Sequence, residues 1–116
     1  MTVREFYEAI GESCDEVIKR FGGSEAMLER FLKKFAADAT YSQLCEAMGS
    51  GDRDAIFRAA HTLKGLAGNF DFSELYALAA KIVEEYRANN DVAIPSLFEK
   101  LKPVYENIIE KLKAFV

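Results

Sequence analysis

Apolar residues recur at alternating steps of four and three along much of this chain, and this spacing restricts the fold more than any other feature. The clearest run contains Ile56, Ala60, Leu63, Ala67 and Phe70. Because an α-helix turns by about 100° per residue, residues at these steps share one face. A half-buried strand would need apolar residues at every second position, and the chain has no such segment. The spacing therefore predicts an all-α protein.

Capping and turn residues in the N-terminal half predict two helices. Thr2 with Glu5 forms a capping box for a first helix, which is expected to reach about Arg20. Ser24 is a good N-cap for a second helix, expected to continue with a bend near residues 38–40. The N-terminal half is thus predicted to hold a short helix and a longer, bent one.

The C-terminal half contains signals for three more helices. Asp52 is placed to cap the third helix, and Asp71 with Glu74 forms a second capping box for the fourth. Pro95 suits the first turn of the fifth helix, whereas Pro103 is expected to kink it. Five helices with short connections favour an antiparallel, up-and-down four-helix bundle, to which the first helix is a short addition.

Size, charge and cysteine content limit the class of protein. With 116 residues, half of them hydrophobic, the chain is predicted to form one domain spanning residues 1–116. The net charge of −4 disfavours nucleic-acid binding. No apolar run approaches the length of a membrane span or a signal peptide. Cys14 and Cys45 have no motif spacing, so we expect a reduced pair in a cytoplasmic protein.

The only histidine of the chain faces away from the apolar seam of its helix. With Ile56 at zero, the seam stays within about 40°, whereas His61 falls at about 140°. Gly65 and Gly68 lie beside it, although each glycine costs about 1 kcal/mol in a helix interior. A strip without side chains next to a histidine predicts close approach by another protein. Phe57, at about 100°, is expected to add an apolar contact to this docking surface.

The chemistry available on this face is nucleophilic. An imidazole is mostly neutral at pH 7, and it can accept a phosphoryl group as a phosphoramidate. Lys64, one turn after His61, would stabilise the phosphoryl charge, although a single surface lysine is more often simply solvated. Metal sites need several ligands, so one histidine without cysteine spacing argues against a metal site, and no glycine-rich loop follows a strand to hold a nucleotide. The phosphoryl donor must therefore come from outside, which predicts a carrier and not an enzyme.

These residues resemble a known signature. The run His-Thr-Leu-Lys-Gly-Leu-Ala-Gly-Asn-Phe at 61–70 closely resembles that of histidine-containing phosphotransfer (HPt) domains of bacterial two-component phosphorelays. The run at 20–24, Gly51 with Asp52, and Leu75 are also similar to that family. The resemblance implies a four-helix bundle with an exposed, phosphorylated His61. It also implies receiver-domain partners that carry the phospho-aspartate and the Mg²⁺, and no cofactor on this chain.

The sequence is therefore interpreted as a monomeric phosphorelay intermediate. It would accept a phosphoryl group on His61 from a phospho-aspartyl receiver domain or a histidine kinase, and pass it to a response-regulator receiver. A helical adaptor that binds a receiver without phosphotransfer is the alternative, and a small metal-binding protein is a second one. Asp71, where the family often has glycine, and Leu66, where it often has a smaller residue, bear on partner choice. Asp71 is expected to adopt a turn conformation and cap the next helix, and Leu66 to pack inward.

Overall fold

The computed structural model describes residues 1–115, which form seven α-helices and two short 3-10 turns without any strand. The helices are α1 (Val3–Ala9), α2 (Asp15–Arg20), α3 (Glu25–Ala36), α4 (Thr40–Ser50), α5 (Arg53–Asn69), α6 (Ser73–Arg87) and α7 (Ile94–Leu112), and the 3-10 turns are Asp91–Ala93 and Lys113–Phe115. The predicted all-α class is confirmed.

Helices α4 to α7 form the four-helix bundle. Helix α5 packs against α4 and α6, and α6 packs in turn against α7. Short connections join successive helices, so neighbours run antiparallel. The rings of Tyr41 on α4 and Tyr105 on α7 stack with centroids 3.8 Å apart and bring the first and last of these helices together. Helix α3 also packs against α7.

Two predicted helices are interrupted in the structure. The expected first helix breaks into α1 and α2, because the chain turns at Gly11, whose φ of 77° lies in the left-handed region. The expected bend near residues 38–40 is a complete break between α3 and α4. There the Asp38 carboxylate accepts a hydrogen bond from the Thr40 backbone at 2.8 Å. A local turn replaces helical hydrogen bonds at both places.

The predicted caps differ in their outcome. The Asp52 side chain accepts a hydrogen bond from the Ala55 backbone at 3.2 Å, so the cap of α5 is confirmed. The predicted Asp71 capping box is wrong, because α6 begins after Phe72 and has no side-chain cap. Asp71 does adopt the expected turn conformation, with φ at 55°. Pro95 lies in the first turn of α7, which continues through Pro103.

The apolar seam of α5 lies in the core. All five of its members are buried, and so is Ala59, which the spacing alone did not include. Residues of α1 and α2 belong to the same hydrophobic cluster. The Tyr7 hydroxyl on α1 donates a hydrogen bond to the Phe70 carbonyl at 2.8 Å, so α1 holds the C-terminal end of α5. None of the helices within residues 1–115 is long and apolar enough to span a bilayer.

Candidate functional site

His61 is exposed near the middle of α5, on the side opposite the buried seam. Its nearest aromatic neighbour is Phe57, one turn earlier, with ring centroids 5.7 Å apart and planes inclined by 37°. Within the part of the chain that the structure describes, no hydrogen bond or ion pair involves the imidazole. The ring nitrogens are therefore open to an incoming electrophile.

Lys64 and Gly65 continue this face by one turn. Lys64 is half-buried, and its ammonium makes no ion pair with any carboxylate of residues 1–115. Its charge is therefore available to an anion beside His61. Gly65 is exposed, and a Cβ built on it would meet no atom within 4 Å. A partner can approach the backbone closely at Gly65.

The predicted strip without side chains does not extend to Gly68. The Tyr76 ring on α6 lies over Gly68, and a Cβ at Gly68 would stand 3.3 Å from the Tyr76 Cδ2 atom. Gly68 thus makes room for a neighbouring helix's side chain. Tyr76 itself is 41% exposed, so its ring forms the outer surface at this point.

Phe57 is half-buried in a set of stacked side chains between α5 and α6. Its ring stacks on Tyr86 with centroids 4.5 Å apart, and the Arg87 guanidinium lies 5.5 Å from the Phe57 centroid. The Tyr86 hydroxyl donates a hydrogen bond to the Asp54 carboxylate at 2.8 Å, and this bond raises the pKa of Tyr86. Phe57 is thus a fixed part of the surface beside His61.

Arg20, whose role no sequence pattern indicated, closes the C-terminal end of α5. Its guanidinium donates hydrogen bonds to the Gly68 and Asn69 carbonyls and forms an ion pair with Asp71 at 3.3 Å. These carbonyls are at a helix end, where they lack partners within the helix. Arg20 is 48 or more residues away in sequence, so no local pattern could have placed it there.

Three other residues on this side of the molecule were also missed. Arg58 is exposed three residues before His61, and this spacing could have placed it near the imidazole. Tyr86 and Arg87 come from α6, and only the packing of α6 on α5 brings them to Phe57. Leu66 is half-buried against the core, which confirms its predicted inward packing.

The arrangement offers one exposed nucleophile and a nearby cation. Among residues 1–115, no three histidine, cysteine or acidic side chains are grouped as metal ligands would be. Cys14 and Cys45 are both free thiols. An imidazole without a hydrogen-bonding carboxylate or hydroxyl can receive an activated group, but the donor must bring its own activation.

A comparison with known protein families gives a match over most of the chain. The family model described as the Hpt domain matches residues 26–115, which include all of α4 to α7 and the His61 face. Searches among curated proteins and among solved structures gave no match. Residues 1–25, which contain α1, α2 and Arg20, lie outside the matched range.

Proposed function

The chain belongs to the Hpt domain family, and from this premise we propose that it carries phosphoryl groups on His61 between receiver domains. Hpt domains serve as phosphotransfer carriers in two-component signalling and are not kinases. The observation that carries the proposal is the exposed His61 imidazole, free of any hydrogen bond within residues 1–115, with the unpaired Lys64 one turn away.

The proposed transfer is a reversible displacement at phosphorus. The lone pair of the unprotonated His61 nitrogen attacks the phosphorus of a receiver's phospho-aspartate. An N–P bond forms, the acyl P–O bond breaks, and the aspartate leaves as a carboxylate with the bonding pair. The return reaction passes the group to the aspartate of a response regulator. The Mg²⁺ that neutralises charge at the acyl phosphate belongs to the receiver.

Lys64 is proposed to stabilise the phosphoryl oxygens during transfer. Residues three apart on a helix have Cβ atoms about 5–6 Å apart, so an ammonium on a flexible stem can reach a group bound to the neighbouring ring. Because no carboxylate within residues 1–115 pairs with Lys64, its charge is not already neutralised. The interaction forms only when the phosphoryl group arrives, which favours the transition state over the resting protein.

The docking surface is proposed to consist of Phe57, Gly65 and the edge of Gly68. Phe57 offers a fixed apolar ring, and Gly65 lets the partner's backbone approach α5 closely. Beside Gly68 the partner would meet the Tyr76 ring and not bare helix. The chain is further proposed to act as a cytoplasmic monomer, with one domain spanning residues 1–116.

The alternative is an adaptor that binds a receiver without phosphotransfer, and one experiment separates the two. The protein is incubated with a receiver domain phosphorylated on its aspartate, and acid-labile phosphate on the protein is measured alongside binding. Phosphoryl transfer with a stoichiometry approaching one per chain supports the carrier. Binding without any transferred phosphate would support the adaptor and contradict the proposal.

A further inference from the structure

We infer that Tyr86 is a positioning residue that orients the His61 imidazole through Phe57, an inference that rests on the proposed function. Tyr86 lies on α6, 25 positions after His61, and its ring stacks on that of Phe57. Its role follows from a continuous row of neighbouring side chains, here called the α5–α6 ladder, which comprises Arg53, Tyr86, Phe57 and His61. The Arg53 guanidinium lies over the Tyr86 ring, which stacks on Phe57, and the Phe57 ring is tilted by 37° against the imidazole.

The first step of the ladder is the contact between Phe57 and His61. The two rings are four residues apart on α5, with centroids 5.7 Å apart. An exposed side chain without such a neighbour changes rotamer within picoseconds to nanoseconds. Since no hydrogen bond within residues 1–115 fixes the imidazole, we expect the neighbouring Phe57 ring to limit its rotamers.

The second step is the contact that holds Phe57. Its ring stacks on Tyr86 with centroids 4.5 Å apart and planes inclined by 30°. The guanidinium of Arg87 lies 5.5 Å from the Phe57 centroid. Phe57 is therefore held between α5 and α6 and cannot swing away from His61 without breaking the stack.

The third step fixes Tyr86 itself at two points. Its hydroxyl donates a hydrogen bond to Asp54 at 2.8 Å, and the Arg53 guanidinium lies 4.0 Å from its ring centroid. Arg53 is in turn held by the Asp91 carboxylate at 2.7 Å and by the Asn89 side-chain oxygen at 2.8 Å. It also donates to the Tyr86 carbonyl at 2.8 Å, so the base of the ladder joins the start of α5 to the end of α6.

Orientation matters when the phosphoryl group is held in a fixed place. A docked receiver presents phosphorus in one direction, and transfer requires the His61 nitrogen to lie in line with the breaking bond. A small donor such as phosphoramidate diffuses in from any direction and is far less sensitive to the imidazole rotamer. The ladder should therefore affect transfer from a receiver much more than uptake from a free donor.

The test substitutes Tyr86→Leu, which keeps an apolar side chain and removes the ring. The maximal rate of transfer from the phosphorylated receiver should fall by about threefold to tenfold, the range that corresponds to the loss of one aromatic contact. The rate with phosphoramidate should stay within about twofold, because the intrinsic reactivity of the imidazole is retained. An equal fall in both rates, or no fall in either, would overturn the inference.

A spectroscopic measurement distinguishes positioning from a general loss of structure. His61 is the only histidine, so its imidazole NMR signals are assigned without ambiguity. In Tyr86→Leu they should move towards free-histidine positions, since the Phe57 ring no longer holds its place. Tyr86→Phe, which keeps the stack and loses the Asp54 bond, should show a smaller shift in the same direction. If Tyr86→Leu does not fold, Tyr86→Phe alone provides the test. Unchanged His61 signals in every folded Tyr86 variant would overturn the inference.

The matched control is Tyr41→Leu. Tyr41 is also half-buried and stacks on another tyrosine, but it lies at the α4–α7 contact and has no part in the ladder. This variant should leave the His61 signals and the transfer rate unchanged. A wild-type protein that accepts no phosphoryl group would contradict the proposed function itself. Wild-type transfer with no effect of Tyr86→Leu would contradict only the positioning role.

Discussion

The two glycines of the histidine helix have different surroundings although both follow His61 on the same side. Gly65 is open to solvent, whereas Gly68 lies under the ring of Tyr76. In a helix, glycine is less favourable than alanine by about 1 kcal/mol, so a glycine that contacts nothing is retained at a cost to stability. A partner that needs the space beside Gly65 would explain that cost.

Alanine at these two positions should separate their roles. Gly65→Ala should raise the free energy of unfolding by up to about 1 kcal/mol, because the new Cβ meets no neighbour. Gly68→Ala should raise it less, because its Cβ presses on Tyr76 and the ring must move by a few tenths of an ångström. Urea denaturation of both variants measures the difference. A larger gain at Gly68 than at Gly65 would contradict the observed packing.

A long side chain at Gly65 tests the docking surface. Gly65→Gln should leave the circular dichroism spectrum and melting temperature near those of the wild type, since a Cβ built on Gly65 meets no packed neighbour within 4 Å. Receiver binding should weaken, because the glutamine stands one turn from His61 on the proposed docking surface. Titration with an unphosphorylated receiver provides the measurement. Normal affinity would place the receiver elsewhere, and unfolding would show that Gly65 packs inside the protein.

The proposed role of Lys64 depends on its charge. Lys64→Ala should slow phosphoryl transfer while it changes stability by no more than about 0.5 kcal/mol, as expected for a substitution away from the core. Lys100→Ala is a suitable control, since Lys100 is an exposed lysine on α7. Transfer reactions quenched after a series of times give the rates, and chemical denaturation gives the free energies of unfolding. A large loss of stability with normal transfer would assign Lys64 a structural role.

At the scale of helices, features set by neighbours in sequence were predictable and those set by distant neighbours were not. The capping residues Thr2, Ser24 and Asp52 act on backbone groups three residues away, and all three occupy their predicted places. Asp71 has the same local pattern, yet its carboxylate pairs with Arg20 from α2. The local rule failed where a distant cation offered the carboxylate another partner.

The candidate site also combines features that were predictable from one helix with features that depend on a second helix. The exposure of His61 followed from the apolar period of α5, because the core must occupy the opposite face. The Tyr76 ring over Gly68 and the Tyr86 ring against Phe57 both come from α6. Their positions depend on how α6 rotates and slides along α5, and the period of a single helix carries no information on either.

Arg20 should act as a cap for the C-terminal end of α5. Arg20→Ala should lower the free energy of unfolding by about 1 kcal/mol, because the Gly68 and Asn69 carbonyls lose a charged donor that is itself partly solvated. Amide exchange should accelerate at residues 68–72 in particular. Lys19→Ala, at the neighbouring and more exposed position, is the control. Equal effects of the two substitutions would contradict the capping role.

At the scale of the whole molecule, α1 and α2 extend the hydrophobic core beyond the range matched by the family model. Tyr7 of α1 is fully buried and donates its hydroxyl to the Phe70 carbonyl at the end of the histidine helix. Burial raises the pKa of Tyr7 well above its ordinary value near 10. The folded protein therefore keeps this proton at a pH at which the unfolded chain releases it.

This difference predicts sensitivity to alkali. Below about pH 10 the Tyr7 hydroxyl is protonated in both the folded and the unfolded state. The contribution of Tyr7 to stability is therefore complete and independent of pH in this range. Above pH 10 the unfolded state is favoured by up to about 1.4 kcal/mol per pH unit from this residue. Tyr7→Phe should be less stable than wild type at pH 8 because it lacks the hydrogen bond. Urea denaturation should show that the difference in free energy of unfolding between wild type and Tyr7→Phe narrows from pH 10 to 11.5. A difference that stays constant over this range would contradict the burial of Tyr7.

The central claim is that His61 is the residue that carries the phosphoryl group, and His61→Gln tests it most directly. Glutamine should preserve the fold, because His61 is exposed and opposite the core. The variant and the wild type are each mixed with a phosphorylated receiver, and acid-labile phosphate on each is measured after the receiver is removed. Wild type should acquire phosphate and His61→Gln none, with equal melting temperatures and comparable receiver binding. Undiminished phosphorylation of a folded His61→Gln protein would contradict the account.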